Sequence, residues 1–299
     1  MTIAYSSPSL GEFPVYLADQ KGYYRDAGLD VKLTYIRGSA ELAAAVLSNN
    51  VQVAYTAAEA VLGAAMQGNA QPVILTMADR HYSYNVIAKP EIKTFTELAG
   101  KVVSIGSTPG TLPDFALSAD LEAHGMALDS VKRVIGGDTA TRAAAVISGK
   151  ADATLLDPPY DLPVVDKGFR SVSSVYEDVK QPVVGTVFYT TRPYAAAHHD
   201  QLVGITKALI RAIRFGRANP DETKKLITGW TKIEDQRSLD RGYQVYFNNI
   251  FVDDPSPLPQ ALQQSIDNEA KARKEQSTLK AADFIDASIV KQALQELGG

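Results

Sequence analysis

The stretch from Gly137 to Pro159 reads GDTATRAAAVISGKADATLLDPP, and one hundred residues earlier Arg37 to Ala58 reads RGSAELAAAVLSNNVQVAYTAA. At that offset Ala43, Ala44, Ala45, Val46 and Ser48 are identical to Ala143, Ala144, Ala145, Val146 and Ser148, and Leu47 faces Ile147. Alanine runs recur by chance, so the shared order carries more weight than the identities. Both stretches run from capping residue to apolar helix, turn, short strand and polar loop. A chain holding two such units is constrained to build two related α/β halves, each offering a helix N-terminus and a strand end to a shared cleft.

The rest of the chain fits that frame. Residues 2–6 read as a strand delivering the polar loop Ser6-Ser7-Pro8, and Phe13 to Lys21 as a helix, with Gly28 suited to a left-handed helix stop. Strands are expected at 29–36, 51–55, 72–77, 82–89, 102–106, 131–135 and 183–189. Between them, Ser39 and Thr139 are read as caps of the repeated helices, and further helices are expected at about 57–67, 96–100 and 113–122. Asp200 is read as the cap of an amphipathic helix with Leu202, Ile205, Leu209 and Ile213 on one face, stopping at Asn219-Pro220. The remainder reads as helices around a proline-rich loop at 253–259. Strands alternating with helices imply mostly parallel sheets. The expected fold is therefore α/β, with two lobes, each a mostly parallel sheet flanked by helices, joined by two hinge strands. The expected division is 1–82 with 190–299 against 83–189, with crossovers at about 79–87 and 184–191.

At 299 residues the chain is long enough for two lobes, and a formal charge of −4 gives no basic footprint for nucleic acid. The absence of cysteine excludes disulfides, thiolate catalysis and cysteine metal sites. No apolar run approaches the roughly 20 residues that cross a bilayer. The N-terminus, MTIAYSSPS, lacks a basic and an apolar signal region, so the protein is either cytosolic or exported with its signal segment already removed. No GxSxG elbow, Walker loop, GxGxxG or HExxH spacing occurs, and no cofactor, metal or catalytic residue is expected. His198-His199-Asp200 reads as a surface turn, Asp253-Asp254 as a solvated loop, and His81 and His124 have no readable partner.

Several stretches resemble one family. Phe13-Pro14-Val15-Tyr16-Leu17-Ala18, then Lys21-Gly22-Tyr23-Tyr24 and Ala27-Gly28-Leu29-Asp30-Val31, are similar to the N-terminal signature of the nitrate/sulfonate/taurine-type solute-binding proteins of ABC transporters. Val102–Thr111 followed by Asp114-Phe115-Ala116, and Ile205 to Asp221, resemble its second-lobe opening and its late helix. The resemblance implies a type II periplasmic-binding-protein-like fold and a periplasmic receptor, usually monomeric. It implies that the hinge closes on one small anion and that the closed form docks on a membrane permease. One departure is Asn49-Asn50-Val51-Gln52-Val53, where the family usually has a Gly and an Asp; the second copy keeps Gly149 and Asp152.

Helix N-termini bind anions through free N–H groups and a partial positive charge, which nominates Ser39, Thr139 and the loop carrying Thr108, Gly110 and Thr111. Ser39 and Thr139 can equally well be simple helix caps. Strand-exit loops nominate Ser6, Ser7, Thr56 and Asp157; Asp157 holds either a ligand amine or its own turn. Tyr82, Tyr84 and Tyr160 offer aromatic faces, with Tyr82 and Tyr84 on one face of a strand. Phe13, from the signature, completes the ligand-binding set. Arg80 and Arg142 are possible ion-pair partners, with a surface role favoured for each. The competing reading is an enzyme on the same scaffold. Zero cysteines speak against a thiamin-pyrimidine synthase, whereas a menaquinone-precursor dehydratase stays open. A sensor lobe of a larger signalling assembly is a third option.

Overall fold

The computed structural model describes residues 1–66, 68, 71–273 and 275–298. Its strands are β1 (Thr2–Tyr5), β2 (Lys32–Tyr35), β3 (Val53–Ala57), β4 (Pro72–Met77), β5 (Asn85–Ala88), β6 (Val102–Ile105), β7 (Lys132–Ile135), β8 (Ala153–Leu156), β9 (Arg170–Ser174) and β10 (Thr186–Thr191). They form two five-stranded sheets, ordered β2-β1-β3-β10-β4 and β7-β6-β8-β5-β9. β10 runs antiparallel to β3 and β4, and β5 runs antiparallel to β8 and β9, so each sheet has one reversed strand in the same place.

The repeat extends to the register. Thr2 pairs with Lys32 and Ile3 with Val53; one hundred residues on, Val102 pairs with Lys132 and Val103 with Ala153. The repeated helices are Ser39–Leu47 and Thr139–Ile147. The departures noted in the sequence are accommodated in place. Asn49 takes the left-handed conformation (φ 60°) that Gly149 takes at φ 79°, a conformation asparagine tolerates better than most residues. The Gln52 side-chain carbonyl accepts the Thr2 N–H at 2.8 Å, as the Asp152 carboxylate accepts the Val102 N–H at 2.9 Å.

The first sheet is covered on both faces. Alternate residues Ile3, Val53, Tyr55 and Phe188 pack with Phe13 and Leu17 and with Leu202, Ile205, Leu209 and Ile213 of the long helix His199–Ala218. Their neighbours Ala4, Ala54, Val187 and Tyr189 face the other way, onto Leu42, Val46, Leu62, Leu262 and Ile266. Full burial of each large aliphatic or aromatic side chain is worth about 1.5–3 kcal/mol. The second half has its own cores, around Val86, Val103, Ile105, Phe115, Leu117 and Leu155 on one face and Ile87, Val146 and Leu156 on the other.

Three readings of the sequence shift. The caps lie one residue earlier than expected. Gly38, at φ 93°, precedes the helix Ser39–Leu47, and Asp138 caps Thr139–Ile147 by accepting from the Thr141 N–H. Asp200 lies inside a helix that starts at His199. Strand β5 begins at Asn85, so Tyr82 and Tyr84 precede it and do not share a strand face.

The crossing segments are clipped together. The Ala78 N–H donates to the Thr186 carbonyl at 3.2 Å and the Val183 N–H to the Arg80 carbonyl at 2.9 Å. The buried Asp79 carboxylate accepts from both the N–H and the hydroxyl of Thr186. Because β10 hydrogen-bonds within the first sheet, residues 186–189 join the first half's strands. A Cβ on Gly185 would fall 1.8 Å from Asp79 Oδ1. Gly185→Ala is therefore expected to destabilise the chain by about 1–3 kcal/mol, read as a Tm lowered by several degrees in calorimetry. An unchanged Tm would mean that the clip moves aside freely.

Candidate functional site

The loops that leave β1, β3 and β6, together with the starts of both repeated helices, converge on a cavity of about 230 Å³ between the halves. The first half contributes Ser6, Ser7, Thr56, Arg37 and Ser39; the second contributes Gly106, Thr111, Asp138, Thr139 and Arg142; Tyr84 and Thr186 line it from the crossing segments.

The floor on the first side is organised by Glu12, which is only 4% exposed. Its Oε1 accepts from Ser6 Oγ at 2.8 Å and Thr56 Oγ1 at 2.7 Å, and its Oε2 accepts from the Ser6 and Ser7 N–H groups at 2.7 and 2.9 Å. Burial raises its carboxyl to about 7 against the opposing pull of these hydrogen bonds. The Ser7 hydroxyl, also in this wall, is buried and accepts or donates no hydrogen bond among the described residues.

The second side carries the positive charge. Arg142 is 3% exposed, lines the cavity, and donates only to neutral oxygens: Leu155 O at 3.1 Å, Gly137 O at 2.8 Å and Thr139 Oγ1 at 3.2 Å. It has no salt bridge among the described residues. The Asp157 carboxylate receives the Thr139 hydroxyl at 3.1 Å and the Tyr246 hydroxyl at 3.3 Å; burial raises its pKa, and the nearby Arg142 charge opposes the rise. At the mouth, Arg37 and Asp138 approach across the halves to 3.9 Å. The Tyr160 hydroxyl donates to the Pro8 carbonyl at 3.2 Å, and Arg241 reaches the buried Asp161 at 2.8 Å.

Of the residues nominated from sequence, Ser6, Ser7, Ser39, Thr56, Tyr84, Thr111 and Thr139 come together around this cavity. Thr108 and Gly110 line a neighbouring cavity of about 600 Å³ with Glu59, Glu269 and again Thr111. Phe13 is fully buried against Trp230 and Phe247, and Tyr82 lies in the second half's core. Asp157 and Tyr160 stand behind the wall, Asp157 supporting Thr139. Arg80 donates to the carbonyls of Asp254 and Ser256, both at 2.8 Å, and Arg142 is buried in the site instead of lying on the surface. Sequence reasoning missed Glu12, Arg37 and Asp138. Only Asp138 carried a signal, as the residue before a helix that also begins with a threonine.

Three buried carboxyls share one electrostatic signature. Burial, the largest cause for each, raises Glu12 from 4.5 to about 7, Glu59 from 4.5 to about 8 and Asp79 from 3.8 to about 7. In this window the folded chain keeps protons that the unfolded chain has released, so stability is fully present below the unfolded values and falls as pH rises through the folded ones. Tm should fall between about pH 5 and pH 8, and Glu59→Gln should flatten the upper part of that fall. A Tm that rises over this range would contradict the assignment.

Residues 11–223 match the family model described as NMT1/THI5 like. YtlA, a candidate binding protein of Bacillus subtilis (strain 168), is 26% identical over 209 residues; the match takes in 67% of this chain and 60% of that protein's length. Among solved structures, the alkanesulfonate-binding protein SsuA from Xanthomonas axonopodis pv. citri bound to MOPS aligns with a TM-score of 0.80 at 15% identity, over 96% of this chain and 98% of that one. The desulfurization enzyme DSZB aligns with a TM-score of 0.73 at 15% identity, covering 99% of each chain. These likenesses establish the type II periplasmic-binding-protein fold. With the family model covering well over half of its length, the chain belongs to the NMT1/THI5-like family.

Proposed function

We propose that the protein is a solute receptor of an ABC importer that captures a small organic anion between its two halves and presents it to a membrane permease. On this reading it works outside the cytoplasm as a monomer. It closes about the segments 79–87 and 184–191, with 1–82 and 186–299 on one side and 83–185 on the other. The observation that carries the anion is Arg142, a buried guanidinium that forms no salt bridge among the described residues and faces the cavity. An unpaired buried charge is costly and calls for a counter-charge. The starts of the helices Ser39–Leu47 and Thr139–Ile147 add partial positive charge beside it, each worth about 0.3–1 kcal/mol. The relatives agree in kind, since SsuA is an alkanesulfonate-binding protein and YtlA a candidate binding protein. Glu12 occupies the N–H groups of Ser6 and Ser7, so the anionic end belongs on the Arg142 side.

An enzyme on this scaffold is the second reading. It is favoured by the DSZB likeness and by a cavity carboxyl, Glu12, that titrates near neutrality.

Calorimetry against short sulfonates, carboxylates and aromatic acids tests the receptor reading. One saturable site is expected, weakened about tenfold or more by Arg142→Gln, consistent with about 1.5–3 kcal/mol for a charge-assisted hydrogen bond. Ser7→Ala should weaken it less. No saturable anion, or an affinity indifferent to Arg142→Gln, would overturn the reading. Conversion of the bound compound on long incubation would favour the enzyme.

A further inference from the structure

Away from the cleft, three side chains of the second half form a cluster that the receptor reading does not use. The helix Leu112–Ala123 starts in the cavity wall at Thr111 and Leu112 and runs roughly 16 Å away from it. At its far end lie Asp120 and His124, one turn apart on the same face, with Asp178 of the short helix Val175–Asp178 opposite them. One donor atom from each lies within 4.8 Å of the others.

The polar groups there are short of positive partners. The Asp120 side chain has no exposed surface; its Oδ1 accepts no hydrogen bond among the described residues and lies 3.4 Å from His124 Nδ1. Ser173 Oγ lies 2.6 Å from an Asp120 carboxylate oxygen and 2.8 Å from an Asp178 oxygen. One hydroxyl has one proton, so it can serve only one of these carboxylates at a time. His124 Nδ1 sits 2.9 Å from the Asp120 carbonyl, which fixes the proton on Nδ1 and leaves the lone pair on Nε2. That Nε2 is 4.0 Å from Asp178 Oδ2. A proton between them would leave a gap too long for a hydrogen bond. A tetrahedral cation with bonds of about 2.0 Å seats neighbouring donors about 3.3 Å apart, so it bridges this pair once they close by roughly 0.7 Å. Phe95, stacked on the His124 ring at 4.2 Å, holds the ring plane.

We propose that Asp120, His124 and Asp178 form a divalent-metal site of the zinc type on the second half, with Ser173 holding the two carboxylates in place. One imidazole with two carboxylates suits zinc, whereas magnesium prefers an all-oxygen, largely hydrated shell. Closing the His124–Asp178 gap falls to Asp178, which lies exposed on a helix of four residues. The site is independent of the anion cavity, and its test does not depend on the identity of the captured solute.

The full chain, stripped with a chelator, is titrated with zinc chloride by calorimetry, and in parallel with magnesium chloride. The expected result is one equivalent of zinc bound at about 10 micromolar or tighter, a raised Tm, and no comparable magnesium binding. His124→Ala and Asp178→Asn should each weaken zinc by about tenfold or more. The double variant His198→Ala/His199→Ala, at the other histidine pair, should leave it unchanged. Asp178→Asn changes an exposed side chain, so circular dichroism on that variant separates loss of metal from loss of fold. Absence of one-equivalent zinc binding, or binding insensitive to both His124→Ala and Asp178→Asn, overturns the site.

Discussion

Four donors, three from the loop after β1 and one from the end of β3, converge on the buried carboxylate of Glu12, and the character of the cleft follows from that convergence. By taking the N–H groups of Ser6 and Ser7 and the hydroxyls of Ser6 and Thr56, it ties the ends of β1 and β3 into one rigid wall. The same bonds consume donors that a strand-exit loop ordinarily keeps for a ligand. The first half therefore meets the cavity with an acceptor at its floor, while the second half meets it with a guanidinium that forms no salt bridge among the described residues. The cavity is polarised along the line between the halves, and an occupant has a defined end for its negative charge.

The positive pole is as firmly set. Arg142 is held by carbonyl oxygens of β8 and of the loop before its own helix, and by the Thr139 hydroxyl, which in turn rests on Asp157. None of these contacts neutralises it. Its position is thus fixed by neutral partners while its charge remains open to the cavity, an arrangement that separates orientation from charge balance.

Much of this was legible in the sequence, and for a physical reason. Strand ends and helix starts are where backbone groups lack partners, so reading them along the chain led directly to Ser6, Ser7, Thr56, Thr111 and Thr139. Residues that reach the cavity by folding back were not legible. Glu12 returns to loop residues five and six positions earlier, and no periodicity marks that. Arg142 looked like a solvated position of an alanine-rich helix, yet its length carries the charge inward to Leu155 O. Tyr82 and Tyr84 parted because the extended segment they occupy is not yet a strand, so alternation did not apply to it. Strand β9, RSVSS, has one apolar residue and was invisible to patterning. His124 likewise had no readable partner in the sequence: Asp120, one helical turn earlier, and Asp178, from another element, join it only in the fold.

The matching register of the two sheets has a practical corollary. Positions of the duplicated strands have a structural twin one hundred residues away, paired in the same register under different chemistry. Asn49 and Gly149 answer the same conformational demand, and Gln52 and Asp152 hold the same strand N–H. The molecule thus carries its own internal standard: what one half holds at a position is a guide to what the other can be redesigned to accept.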